Sequence, residues 1–151
     1  MKKLFSLLTL AGVAFAFSGI AAAKTCELSI SGNDKMEYDK SELKVSADCD
    51  KVKLTLKHSG SMDVGQMGHN WVLSETSDFE AVARDGQQTG RGNDYVPRND
   101  DRVLAHTELI GGGDSTSVTF DTSKLESGGD YTFFCSFPGH FVSMQGKLIV
   151  A

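Results

Sequence analysis

The 151-residue chain has no excess of positive charge: 15 Lys and Arg face 20 Asp and Glu, for a formal net charge of −5. Nucleic-acid binders carry basic stripes or patches, so an acidic domain of this size fits that class poorly. There is no internal repeat, no linker of biased composition and no second region of distinct pattern, so a single domain is expected. No apolar run reaches the ~20 residues that a membrane-spanning helix needs. With only four histidines and three cysteines, one metal cluster can be assembled and no further histidine cluster is left to hold another. The odd cysteine count also leaves one thiol without an intramolecular partner.

The longest apolar stretch lies at the N-terminus and has the order of an export signal. Lys2 and Lys3 form a positive start, residues 4–17 are apolar apart from Ser6, Thr9 and Gly12, and Ala21-Ala22-Ala23 supplies a small-residue cleavage site. Residues 1–23 are therefore expected to be a signal peptide, leaving a mature chain of 128 residues, 24–151. Losing Lys2 and Lys3 takes the net charge from −5 to −7. Cys26 follows the apolar stretch closely enough to raise lipid attachment as an alternative. The charged Lys24 suits a lipid-attachment sequence badly, and soluble export without a membrane anchor is the expectation.

Alternation with the period of strands dominates the remainder. Leu28 and Ile30 alternate with polar neighbours, and Val52, Leu54 and Leu56 do so between Lys51, Lys53, Thr55 and Lys57. The pairs Val118 and Phe120, and Leu148 and Val150, repeat the pattern, as do Tyr131, Phe133 and Cys135. Between them stand turn signals such as Gly32-Asn33-Asp34, Ser59-Gly60, Gly128-Gly129-Asp130 and Pro138-Gly139. Short strands separated by frequent turns predict an all-β fold, a Greek-key β-sandwich or barrel. One short helix is expected to interrupt it. Ser77 and Glu80 have capping-box spacing, Phe79, Val82 and Ala83 share a helical face, and Asp85-Gly86 reads as the stop. The polar stretch 87–101 is then expected to be a loop.

Pairing Cys26 with Cys49 would close a loop worth roughly 3 kcal/mol in the chain-entropy model. It would leave Cys135 alone in an oxidising compartment, where a thiol needs burial or a metal. Cys135 opens the stretch CSFPGHFVSM, which also carries His140 and Met144, and His69 lies upstream in MGHNWVLS. Two imidazoles, one thiolate and one thioether are the donor set of a blue-copper electron-transfer site. Such a set suits copper(II) and copper(I) about equally, so little moves when an electron arrives. Taken singly, each residue has a plainer meaning. His69 beside Trp71 and Val72 could be a core histidine, and Met144 a core filler. Cys135 with His140 could be a hydrolase dyad, which would also need an orienting group and a substrate cleft.

Four segments, MGHNWVLS (67–74), DYVPRNDDRVLAHTELIG (94–111), SVTFDTSKL (117–125) and YTFFCSFPGHFVSM (131–144), resemble the azurins, bacterial periplasmic blue-copper proteins of the cupredoxin family. The likeness spans the whole mature chain, and the Cys-x4-His-x3-Met spacing resembles azurins rather than plastocyanins or amicyanins, whose ligand loops are shorter. The resemblance implies a cupredoxin (plastocyanin-like) domain over 24–151, a Cys26–Cys49 disulfide and one copper ion cycling between Cu(II) and Cu(I). It implies His69, Cys135 and His140 as equatorial ligands, Met144 as a long axial ligand and the Gly68 carbonyl opposite it. It further implies that Asn70 ties the two ligand loops, that the amides of Asn70 and Phe137 donate to the Cys135 sulfur, and that Trp71 lies in the core.

The function so implied is a periplasmic one-electron carrier, not an enzyme. It would be a monomer that docks transiently on c-type cytochromes or copper reductases. The docking patch would comprise Met36, Met67, Phe137, Pro138, Phe141 and Val142 around His140. Two positions depart from the family pattern. Ser59 follows His58 where proline is usual, which bears on the pH response of that buried histidine, and Gln87 replaces a common methionine, making the patch more polar. His106 matches a surface histidine without a ligand role. Rival functions make different demands: a copper chaperone favours exposed Met- or Cys-rich sites, and a copper enzyme needs an open coordination position or a second metal.

Overall fold

The computed structural model describes residues 22–151, so most of the expected export signal lies outside the described residues. Strands β1 (Thr25–Gly32), β3 (Lys51–His58) and β6 (Ser115–Asp121) make one sheet in the order β1-β3-β6. Strands β2 (Glu42–Val45), β8 (Gln145–Val150), β7 (Tyr131–Phe134), β4 (Val72–Glu75) and β5 (Ala105–His106) make the other, in the order β2-β8-β7-β4-β5. β1 runs parallel to β3 and β2 parallel to β8, and the remaining pairs are antiparallel. The expectation of a β-sandwich with one short inserted helix holds.

β3 shows why the sandwich closes. It is central in its sheet, and Val52, Leu54, Leu56 and His58 are buried while Lys53 and Lys57 are exposed and Lys51 and Thr55 half-buried. Its inward side chains join Ile30, Trp71, Phe133 and Leu148 in one core. Each fully buried aliphatic or aromatic side chain contributes about 1.5–3 kcal/mol by leaving water. Trp71 is fully buried, with Phe120 at 5.9 Å and Phe133 at 6.1 Å between ring centroids. The disulfide joins Cys26 in β1 to Cys49 just before β3, with Cα atoms 5.9 Å apart, and Cys135 is left free and buried.

β4 and β7 do not alternate in burial, because both of their faces are covered. On the outer face Val72 and Phe134 pack with Val82, Ala83, Val96 and Phe141 beneath the helix α2 (Phe79–Thr89). Hence the run Trp71-Val72-Leu73 carries no period-2 signature, and β4 is invisible to a pattern search.

α2 differs from its sequence expectation at both ends. Its N-cap is Asp78, which makes no side-chain capping bond, and the helix continues through Asp85 and Gly86 to Thr89. Gly86 is a packing residue: a Cβ there would lie 2.1 Å from the Tyr95 carbonyl oxygen, so the following segment can close onto the helix only over a glycine. Arg102 adds a polar clamp, donating to both Asp100 and Asp85 and so tying the 98–103 stretch to α2. A one-turn helix, α1 (Val64–Met67), precedes β4, capped by the Asp63 carboxylate, which accepts from the Gly65 amide at 2.7 Å. No helix among the described residues is long and apolar enough to cross a membrane.

Candidate metal centre

Two backbone segments meet at one end of the sandwich. His69 is pinned by a reciprocal bridge, its N–H donating to the Ile110 carbonyl and accepting the Ile110 N–H on its own carbonyl, both at 2.9 Å. Cys135 directly follows β7, and its N–H donates to the Met144 carbonyl at 3.0 Å, extending the β7–β8 ladder by one step. The chain between them is folded tightly, with His140 N–H on the Phe137 carbonyl at 2.9 Å and Met144 N–H on the His140 carbonyl at 2.8 Å. One short loop thereby carries Cys135, His140 and Met144, while His69 arrives from 66 residues earlier in the chain.

The side chains converge. Cys135 Sγ lies 3.6 Å from His140 Nδ1, 3.9 Å from His69 Nδ1 and 3.9 Å from the Gly68 carbonyl oxygen. The three candidate ligand atoms fall within 4.8 Å of one another, and all three residues are buried. Donors bonded at about 2.0 Å through nitrogen and 2.3 Å through sulfur, spread at 120° around one ion, would be about 3.7 Å apart. The donor set therefore fits one soft or borderline cation. Met144 is fully buried beside Cys135 and Phe137, with Tyr38, Tyr95 and Leu109 packed against them. His106, exposed at the end of β5, takes no part in the cluster.

Hydrogen bonds orient the donors. His69 Nε2–H donates to the Asn33 carbonyl at 2.9 Å, which leaves the Nδ1 lone pair facing the sulfur. Gly32 makes room for that ring, since a Cβ there would sit 2.6 Å from His69 Cδ2. His58 stacks on the other side of His69, centroids 4.3 Å apart; its Nδ1 accepts from the Gly60 amide and its Nε2 donates to the Met67 carbonyl. Ser59 donates both its amide and its hydroxyl to the Gly32 carbonyl, at 2.8 and 2.9 Å. A proline at 59 could make neither bond. Asn70 joins the two ligand loops: its Oδ1 accepts the Ser136 amide at 2.9 Å, and its Nδ2 donates to Ser136 Oγ at 2.8 Å and to the Asp94 carbonyl at 2.7 Å.

Burial sets the charge state. It pushes the Cys135 thiol up to about 12, opposed in part by the backbone amides of Asn70 and Phe137, which hydrogen-bond the sulfur. Burial likewise pulls His69 and His140 down to about 4. Without metal at neutral pH the pocket thus holds a thiol and two neutral imidazoles. Cys135 would bind a cation as its thiolate, giving up the thiol proton, and the positive charge would offset the cost of burying that thiolate.

The surface around the site is smaller than the sequence implies. Met36 (40% exposed) and Val142 (71% exposed) face solvent, as does Pro138, and Met67 is half-buried. Phe141 is a correction: it does not form part of the rim. Its ring, only 9% exposed, turns inward among Val82, Ala83 and Phe134, with the Arg84 guanidinium 5.7 Å from the ring centroid. An aromatic ring gains more from cover by α2 than from exposure. Phe137 is equally buried. Gln87 is half-buried, and its amide nitrogen is enclosed without a partner. The sequence pattern marks Gly32 only as a turn residue, not as the floor beneath His69, and holds no sign of Tyr38 or of the exposed Met62.

The burial-shifted groups make the stability of the metal-free protein depend on pH. Both histidines ionise near 6.5 when unfolded and near 4 when folded, so the unfolded chain takes up protons first as pH falls, and stability declines between those values. Cys135 ionises near 9 unfolded and near 12 folded, so stability declines again as pH rises through that interval. Urea titrations of the metal-free protein should give a plateau from about pH 7 to 9 with losses on both sides. The Cys135→Ser variant should lack the Cys135 contribution to the alkaline loss; an unchanged alkaline limb would contradict this assignment.

Comparison with known proteins agrees with the donor set. The family of copper-binding proteins described as plastocyanin/azurin matches residues 24–151. The chain is 50% identical over 133 residues to an azurin of Bordetella pertussis, covering 88% of this chain and 89% of that protein. It is 45% identical over 126 residues to an azurin of Pseudomonas aeruginosa, covering 83% and 85% respectively. The solved structure of an azurin (Az-iso2) from Methylomonas sp. strain J superposes with a TM-score of 0.81 at 41% identity, over 83% of this chain and 98% of that one. With this fold, this donor set and these relatives, the chain belongs to the plastocyanin/azurin family of copper-binding proteins and is a copper electron carrier.

Proposed function

We propose that His69 Nδ1, Cys135 Sγ and His140 Nδ1 hold one copper ion, with Met144 and the Gly68 carbonyl as weaker partners. In this proposal the protein passes single electrons between other redox proteins. The observation that carries it is the convergence of one sulfur and two imidazole nitrogens, all buried, within 4.8 Å of one another. Bound copper would supply a Cu(II)/Cu(I) couple whose two states both tolerate this donor set.

The chain's own groups do the rest. The Asn33 carbonyl fixes the His69 ring, Asn70 joins the ligand loops, and burial keeps water from the sulfur. A rigid, dry pocket changes little between oxidation states. It also leaves no evident place for a substrate, which favours a carrier over an enzyme. A cleft of about 570 Å³ is lined by Arg98, Asp101, His106 and Glu108 and includes none of the three donors.

His140, 3% exposed, is the least buried of the three donors and is flanked by exposed Pro138, Gly139 and Val142. We take its ring edge as the electron exit. Met36, Pro138 and Val142, with part of Met67, would then form a small apolar docking patch for weak, short-lived contact. In kind, the partners would be c-type cytochromes or copper-containing reductases, met by a monomer. A signal peptide over 1–23 and the Cys26–Cys49 disulfide together favour the periplasm.

Cupric salt added to the purified protein should give an intense blue thiolate-to-copper band saturating at one ion per chain. Cys135→Ser should abolish it, and a wild-type protein that stays colourless would end the proposal. Val142→Lys should keep the colour but slow electron self-exchange roughly tenfold or more by placing like charges across the patch; an unchanged rate would remove the patch. Mass spectrometry of the exported protein should find residues 24–151, and a retained N-terminus would refute the cleavage.

A further inference from the structure

A buried backbone carbonyl needs a donor. Asn70 is fully buried, and its carbonyl oxygen accepts a hydrogen bond at 2.5 Å from the hydroxyl of Tyr38, a residue 32 positions away that contributes no metal donor. Tyr38 follows the turn after β1 and is tied back to it through a bridge to Gly32. Its ring meets Phe133 edge-on at 5.8 Å and packs against the cluster of Cys135, Phe137 and Met144.

Asn70 uses every polar group it has on this site. Its amide acts on the Cys135 sulfur, its Oδ1 takes the Ser136 amide, and its Nδ2 reaches Ser136 and Asp94. Those three groups point toward the Cys135 loop or the 94 segment. The carbonyl is held by a residue of neither segment, Tyr38. A phenylalanine ring would fill the same space, so the hydroxyl is not needed for packing.

We propose that Tyr38 is a positioning residue for the metal site: by holding the Asn70 carbonyl, its hydroxyl keeps the Asn70 amide aimed at the Cys135 sulfur and the His69–Asn70 segment aligned with the Cys135 loop. Tyr95 provides an internal contrast. Its ring also lies against the cluster, 5.4 Å from Phe137, yet among the described residues its hydroxyl bonds to neither ligand loop. The proposal rests on the copper assignment only where copper is the readout.

The test compares Tyr38→Phe with Tyr95→Phe, each the loss of one oxygen atom. In the metal-free protein, NMR-detected hydrogen exchange should speed up about tenfold or more at the Asn70 and Phe137 amides in Tyr38→Phe, with the Leu54 and Leu56 amides of β3 unchanged. Tyr95→Phe should leave all four as they were. In the copper-loaded protein, Tyr38→Phe should shift the thiolate-to-copper band and lower the reduction potential, because a sulfur less engaged by the amide donates more strongly to the oxidised metal. Tyr95→Phe should do neither. Exchange accelerated equally everywhere, or nowhere, with band and potential at their wild-type values, would reduce Tyr38 to a core strut and overturn the proposal. A wild-type protein that failed to colour would count against the copper assignment alone, since the exchange result needs no metal.

Discussion

Everything at the functional end of this molecule follows from burying a cysteine thiol where a bare thiolate is too costly to exist. Cys135 has no exposure, and its polar neighbours include two imidazoles, a carbonyl and two backbone amides. A sulfur in such a place stays protonated at neutral pH, and only a bound cation would stabilise its thiolate. The same dry surroundings hold both histidines neutral, with lone pairs available. Burial thus makes the pocket a receptor for a soft cation and also a poor place for substrate or water.

That constraint has to be met by rigid scaffolding, and the molecule supplies it from several directions. The β7–β8 ladder runs one step past β7 to seat Cys135 against Met144. The His69–Ile110 bridge and the Asn33 carbonyl fix His69 in position and rotation. Asn70 spans the gap between the loops, and Tyr38 braces Asn70 through its carbonyl. On the outer side Phe141 plugs the His140 turn into the cluster beneath α2. A site so enclosed loses freedom to rearrange, which is what fast exchange of a single electron asks of it.

Much of this was legible in residue order, and the misses have physical causes. β1, β3, β6 and β8 announced themselves because one face of each meets water. β4 did not, since α2 covers its outer face and removes the polar half of the pattern. Gly86 read as a helix stop because glycine commonly ends helices; here it admits the Tyr95 carbonyl. Phe141 read as a rim residue because of its place beside His140, yet the turn directs its ring inward. Tyr38 left no trace at all: a partner 32 residues away on a backbone carbonyl has no spacing rule.

By itself the sequence determined the chemistry of the donors, the short spacing of Cys135, His140 and Met144, and the all-β pattern, since these depend on side-chain type and on neighbours a few residues apart. Only the tertiary structure decided how His69 is brought to them across 66 residues, which nitrogen it offers, and which apolar side chains stay outside. Those outcomes depend on how two sheets and a helix pack, and packing is a property of surfaces that chain order brings together but does not describe.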